Sequence, residues 1–429
     1  MKAKVLVIGG GVVGTSIALH AARRYDPIKE PVVLLERGDL AGGSSGSSGA
    51  ILRQHYAEPV VASMARDSLR YYASFEGNTG RPLGFRRVGV LTLAGPSRPE
   101  SMQRLERSIK EQRDFGIQTE VLDAAQIRAK MPGIEVDDRA IAAFESLGGY
   151  VDPRQCVREF AALARTYGAI TRLGVEITDL VFKNGKIAGA RTTDGDFTCE
   201  HAVVVAGASM KSFMARFGID VPVRVARVQQ LFVGLPASES DSEVVSEFEG
   251  YRVDLEDPME QEHEKLMHSG EEARSPGSER PVLVDLEYGI YVRNERAERR
   301  VRVAPIAYRS TDIVESADPA AAPSDADTQW AREQLCKRLP VHRDQPVLGS
   351  AISWFPLSQD GRALIGPVPG HGGLWIAGGF GDHGFKLAPS VGEGVAQMLR
   401  GEPVSAFDPA HFAVDRKPAK VDWSGETYL

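Results

Sequence analysis

The chain has 429 residues, 42% of them hydrophobic, more than a single core usually serves, so two domains are expected. Its formal charge of -7 comes from 58 acidic and 51 basic residues, and nine acids against three bases between Asp254 and Arg280 supply six of those charges. No basic stripe recommends a nucleic-acid partner, three scattered cysteines without C-x-x-C spacing argue against zinc or iron-sulfur ligation, and no run of about 18 apolar residues suits a transmembrane segment. The apolar amino-terminal stretch lacks a small-residue cleavage site, so the expected location is cytoplasmic and reducing.

The first predicted elements carry the clearest chemistry. An apolar strand over 5–8 runs through Gly9, Gly11 and Gly14 into a helix over 12–25. The first glycine permits the tight turn, the second leaves room for a pyrophosphate against bare backbone, and the third lets helix and sheet pack closely. Free N–H groups at the helix start then meet the phosphate charge. A second buried strand over 31–36 ends in Glu36, with Arg37 beside it, 22 residues beyond Gly14, where a carboxylate can accept from a ribose 2'-hydroxyl. These features call for a dinucleotide without deciding between NAD and FAD. The Gly/Ser segment 42–49, with Ser44, Ser45, Ser48 and Gly49, offers backbone and hydroxyl contacts beyond the first unit, as a ribityl-flavin arm requires.

Further along, helices are expected over 58–77 (Val61, Met64, Leu69, Tyr72 and Phe75 inward) and 100–115 (Met102, Leu105 and Ile109), with a strand over 87–93 between them. Asp123 is placed to cap a short helix ending before Pro132, and Asp152 with Pro153 to start another whose buried stripe is Cys156, Val157, Phe160, Ala164 and Tyr167. Val175 opens a strand before a hairpin turn at 183–186, and the buried strand over 202–205 ends in Ala206 and Gly207, small enough for close approach by a cofactor. Strand-rich stretches over 224–235 and 289–308 flank the acidic segment 254–280, which reads as a solvated insertion or a docking element. A connector over 319–327 precedes a helix containing Trp330 and Leu335. Finally, Gly379, Gly381, Gly384, Phe385 and Lys386 lie in a glycine-rich loop that opens a helix with Val391, Val395 and Met398 inward, so its amides can face a developing negative charge.

Taken together, the segments 9–36, 43–56, 149–164 and 360–399 resemble the D-amino-acid oxidase superfamily, particularly its sarcosine oxidase, glycine oxidase and dimethylglycine dehydrogenase relatives. The resemblance implies an α/β fold in which a discontinuous Rossmann-like FAD-binding domain (1–86, 149–220 and 345–429) is interwoven with an antiparallel-sheet substrate domain (87–148 and 221–344). It implies FAD-dependent oxidation of the C–N bond of a small or N-alkylated amino acid, with oxygen or another electron acceptor and homo- or hetero-oligomers open. By the same resemblance Arg53 and Lys386 grip the substrate carboxylate, and Arg302 stands where sarcosine oxidases place an oxygen-activating lysine. Phe355 takes a position often held by tyrosine. Ser353 stands where the family's flavin-linking cysteine would be, so FAD is expected to be noncovalent unless a histidine such as His55 makes the link. His383 is expected to shape the loop rather than act as base. A flavin-dependent 2-hydroxy-acid dehydrogenase and a noncatalytic FAD-containing subunit or assembly factor remain the alternatives.

Overall fold

The protein is represented by a computed structural model that describes residues 1–56, 58–236 and 279–418. Of the acidic insertion expected over 254–280, all but the last two residues lie outside the described residues. The fold is mixed α/β, with several sheets and helices.

Val5–Ile8 is buried at all four positions because it has strands on both sides: it pairs in parallel with Val32–Glu36 and with His201–Val204. The six-stranded sheet runs Leu364–Pro367, Leu374–Gly378, His201–Val204, Val5–Ile8, Val32–Glu36, Ile170–Leu173. Its pairs are parallel except the first, which is antiparallel. The helix Val12–Ala22 is buried at every residue, since it lies under this sheet and packs against both Pro153–Thr166 and Gly384–Arg400. A helix covered on all sides needs no polar face, and its sequence has none.

A nine-stranded sheet, mostly antiparallel, forms the second layer. Its long strand Val223–Gly234 pairs with Val347–Ser358 on one edge and with Arg300–Pro305 and Ile313–Val314 on the other. The strand Val347–Ser358 thus hydrogen-bonds into this sheet, although it falls in a range expected to serve the nucleotide unit. One pair, Val282–Asp285 with Val90–Ala94, is parallel. Alternation along Val223–Gly234 sends Leu231 and Val233 to the core under the helix Asp325–Arg338 and Ala226 and Val228 to a core shared with Tyr150, Tyr291 and Leu357. Arg338 closes the helix onto the sheet through a buried ion pair with Asp285, its Nε donating at 2.6 Å.

Most predicted elements occur with ends shifted by one to three residues: Pro59–Thr79, Val90–Ala94, Pro99–Asp114, Ala124–Lys130 and Asp325–Arg338. Asp123 and Asp152 cap their helices by accepting from the amides of Gln126 and Gln155. Tyr167 does not join the buried stripe. It follows the last helical residue, where the chain leaves the helical face, and lies 42% exposed beneath the Arg23 guanidinium.

The tightest constraint is at the first turn. Gly9 has φ +124, and a Cβ on Gly14 would overlap the Gly9 carbonyl oxygen, whereas nothing lies within 4 Å of a Cβ on Gly43. Gly14→Ala is therefore expected to lower stability by about 1–3 kcal/mol. Gly43→Ala should leave the urea midpoint nearly unchanged, and equal midpoints for the two variants would contradict the close approach.

Candidate functional site

The nucleotide end is built by the first two strands. Gly11 caps Val12–Ala22 with extended backbone and no side chain of its own, and Ser45 Oγ accepts from Val12 N–H at 3.0 Å. The Gly/Ser segment is thereby fastened to the helix start, not merely next to it in sequence. Glu36 accepts from Gly10 N–H at 2.7 Å and Gly38 N–H at 2.8 Å, and its carbonyl accepts from Val175 N–H at 2.9 Å. Arg37 reaches Ser209 Oγ, bridging the second strand to the turn after Ala206 and Gly207. Ser44 Oγ donates to the Trp354 carbonyl at 2.5 Å, and Ser48 Oγ accepts from Ala50 N–H. This bare turn, the helix start whose Gly11 cap carries no side chain, and the strand-end carboxylate fit a dinucleotide, with Glu36 carboxylate oxygens already oriented by two amides.

The second group forms around the other helix start. Gly379 and Gly381 have φ of +71 and +60, and Gly381 N–H donates to the Pro356 carbonyl at 2.6 Å, tying the loop to the nine-stranded sheet. Lys386 Nζ meets Asp382 Oδ2 at 2.8 Å, and His383 Nε2 lies 3.1 Å from the other carboxylate oxygen. Burial would raise the Asp382 carboxyl, but the Lys386 and His383 charges outweigh it and hold it well below the usual range. Burial lowers Lys386, Asp382 opposes that, and the Arg53 guanidinium adds to it, so Arg53 lies within electrostatic reach of Lys386. Phe385 points the other way, into the core, while its carbonyl accepts from Tyr72 OH at 2.7 Å.

Arg53 is 1% exposed, lies over the Tyr56 ring at 4.5 Å, and donates from Nη1 to the His55 carbonyl at 2.6 Å. Its strip is held from two sides. Glu145 accepts from Gln54 N–H at 2.5 Å and His55 N–H at 3.3 Å, and Gln112 donates to the Tyr56 carbonyl. The His55 imidazole is committed to Ser108 Oγ at 3.0 Å, and burial pushes its pKa down to about 3. The Tyr56 ring in turn packs edge-on to His383 at 5.0 Å. Burial raises the pKa of the Tyr56 and Tyr308 hydroxyls, with Asp382 adding to it and Arg53 lowering that of Tyr56, and the Tyr308 hydroxyl has no hydrogen-bond partner among the described residues. Phe355 packs against Tyr308 at 6.2 Å, contributing shape to this wall.

Arg302 belongs to a third group. Its Nε donates to Glu295 Oε1 at 2.6 Å and its Nη1 to the Ser47 carbonyl at 2.7 Å and to Gln230 Oε1. Gln230 also donates to Ser353 Oγ at 2.8 Å, and Arg293 donates to the Gly49 carbonyl. The Gly/Ser segment thus rests on a buried polar floor. Sequence reasoning missed Glu145, Glu295, Gln230, Arg293, Tyr56 and Tyr308, and gave Asp382 no role although it stands inside the quoted loop. The i, i+4 spacing of Asp382 and Lys386 was the one available signal. Among the described residues no cluster suits a metal ion, and no helix is long and apolar enough to cross a membrane.

Comparison with known proteins agrees with this geometry. The profile of the family described as FAD dependent oxidoreductase (DAO) matches residues 4–398. The chain is similar to mitochondrial dimethylglycine dehydrogenase of Rattus norvegicus, 22% identical over 94% of this chain and 43% of that protein. It is also similar to peroxisomal sarcosine oxidase of Homo sapiens, 23% identical over 96% of each. The chain therefore spans less than half of the dimethylglycine dehydrogenase and nearly all of the sarcosine oxidase. Among solved structures, L-proline dehydrogenase from P. horikoshii superposes with a TM-score of 0.76 at 21% identity, covering 95% of this chain and 97% of that one.

Burial pushes the Glu145 carboxyl up to about 7, against the pull of the Gln54 and His55 amides and of Arg53. A folded value above the usual carboxylate range gives a stabilising contribution that is full below the unfolded value and is lost as pH rises through the folded one. Stability of the native chain relative to Glu145→Gln should fall by on the order of 2–3 kcal/mol between about pH 5 and pH 8. Paired urea titrations measure this, and a difference that stays flat with pH would refute it.

Proposed function

Because the chain belongs to the FAD dependent oxidoreductase family and is an FAD-dependent enzyme, we propose that it oxidises the C–N bond of a small carboxylate-bearing amine to an imine. Sarcosine, dimethylglycine, proline and glycine define the size range. The observation that carries the reading is that Arg53, 1% exposed, lies over the Tyr56 ring, which packs on His383 beside Asp382 and Lys386, the latter 6% exposed, at the glycine-rich loop that begins Gly384–Arg400.

In this reading the strands around Val5–Ile8 and their helices form the FAD-binding domain, and the nine-stranded sheet forms most of the substrate domain, interleaved along the chain. Gly9, Gly11, Gly14, Glu36, Arg37, Ser44, Ser45, Ser48, Gly49, Val175, Ala206 and Gly207 would hold the dinucleotide, and Gly379, Gly381, Gly384, Phe385 and Lys386 its flavin end. Bound FAD supplies a hydride acceptor at N5. Arg53 grips the carboxylate through parallel N–H bonds, which fixes the reacting carbon without a separate base. The amides of Gly381 and His383 are taken by the Pro356 and Phe380 carbonyls, which leaves those of 384–386, at the helix start, to face the charge that grows during transfer. Tyr56, Tyr308 and Phe355 close the pocket against water. Ser353 supplies a hydroxyl where a thioether needs a thiol, which supports noncovalent FAD. Arg302 is paired with Glu295, which damps its charge and favours an electron acceptor other than oxygen. Three free cysteines suit a cytoplasmic, reducing setting.

Anaerobic addition of sarcosine, dimethylglycine, proline and D-amino acids to the holoenzyme should bleach the flavin absorbance with at least one of them. Reoxidation should be faster with an artificial acceptor than with air. Arg53→Lys, which cannot make the two-bond grip, should lower kcat/KM about 100-fold with the flavin spectrum retained. Reduction by 2-hydroxy acids and by no amine would replace this reading with the hydroxy-acid one.

A further inference from the structure

Asp382 stands two residues ahead of the helix Gly384–Arg400 and is 8% exposed at its side chain. One of its oxygens takes the Lys386 ammonium at 2.8 Å and the other lies 3.1 Å from His383 Nε2, while the Asp382 carbonyl also accepts from Lys386 Nζ at 3.1 Å. Lys386 is thus bound twice by the same residue. A paired ammonium presents a weak net field to an incoming carboxylate. Were Lys386 to swing to the substrate, Asp382 would keep its charge in a buried site with His383 alone, which is costly. A second carboxylate near this helix start would meet Asp382 as a like charge.

Resting on the carboxylate-bearing substrate reading above, we propose that Asp382 is a specificity-determining residue: it holds Lys386 away from substrate and restricts the pocket to amines with one carboxylate, gripped by Arg53. The pair therefore serves as a neutral wall.

The test titrates the holoenzyme with two unreactive probes, acetate and malonate, following the flavin difference spectrum, in the native chain, Asp382→Asn, Lys386→Met and the double variant. Asp382→Asn should tighten acetate binding about 10-fold and malonate about 100-fold, because it releases a buried cation. Lys386→Met should weaken acetate binding, since it leaves the Asp382 charge unpaired, so it is the double variant, which removes both charges of the pair, that should keep the acetate Kd within about 3-fold of the native value. Adding Lys386→Met to Asp382→Asn should erase the gain. Asp382→Gly, which removes the group altogether, should shift both probes in the same direction and covers the case in which the asparagine variant misfolds. Unchanged or weaker binding in the folded Asp382→Asn or Asp382→Gly variant overturns the proposal, as does loss of acetate binding in the double variant or absence of probe binding in every variant. The titration reads binding alone, so a chain that oxidises no amine yet shows the predicted gains would fail the substrate reading and sustain this one.

Discussion

Backbone contact without side chains is the constraint on which the molecule depends. Gly14 lets the helix Val12–Ala22 sit against the Gly9 carbonyl, and Gly392 lets Gly384–Arg400 approach so closely that a Cβ there would overlap Ser16 Oγ. Ser16 Oγ then donates to the Ala388 carbonyl at 2.7 Å, locking the two helices together. Because Leu374–Gly378, His201–Val204 and Val5–Ile8 are parallel neighbours, both helices start from the same edge of the sheet. Open parallel sheets bind ligands at the carboxyl ends of their strands. One edge therefore presents two helix starts, the two that the proposed reading assigns to the phosphates and to the flavin.

The charges around the pocket are arranged by the same economy. Arg53 lies over Tyr56 and bonds to its own strip, Lys386 answers Asp382, and Arg302 answers Glu295. Each buried cation is oriented by a neighbour, which avoids the cost of an isolated buried charge. Fixed geometry of this kind orients a substrate without reorganisation during the reaction.

What could be read from residue order was local. The glycine turn, the strand ending in Glu36, the caps at Asp123 and Asp152 and the hairpin at 183–186 each need only neighbours in sequence, and Asn184 and Gly185 do take the positive φ of 51 and 74 that such a turn demands. The loop 379–386 was visible for the same reason. The polar supports were not. Glu145 reaches Gln54 across 91 positions and Gln230 reaches Ser353 across 123, and no periodicity reports such pairs. Tyr167 shows the opposite failure: helical spacing placed it inward, but the helix had already ended. Likewise the strand Val347–Ser358 shows no hydrophobic alternation, and it is defined by eleven cross-strand partners on Val223–Gly234.

The sheet order also bears on how the chain comes to be folded during its synthesis. Val5–Ile8 emerges first, yet the strand two places from it, Leu374–Gly378, emerges after most of the chain, and Leu364–Pro367 seals the edge beyond. Early segments must wait for late ones, since contacts of high sequence separation close this sheet. A ribosome halted before residue 378 would hold a nascent chain in which His201–Val204 lacks its outer partner strand, leaving an open sheet edge of the kind that chaperones shield.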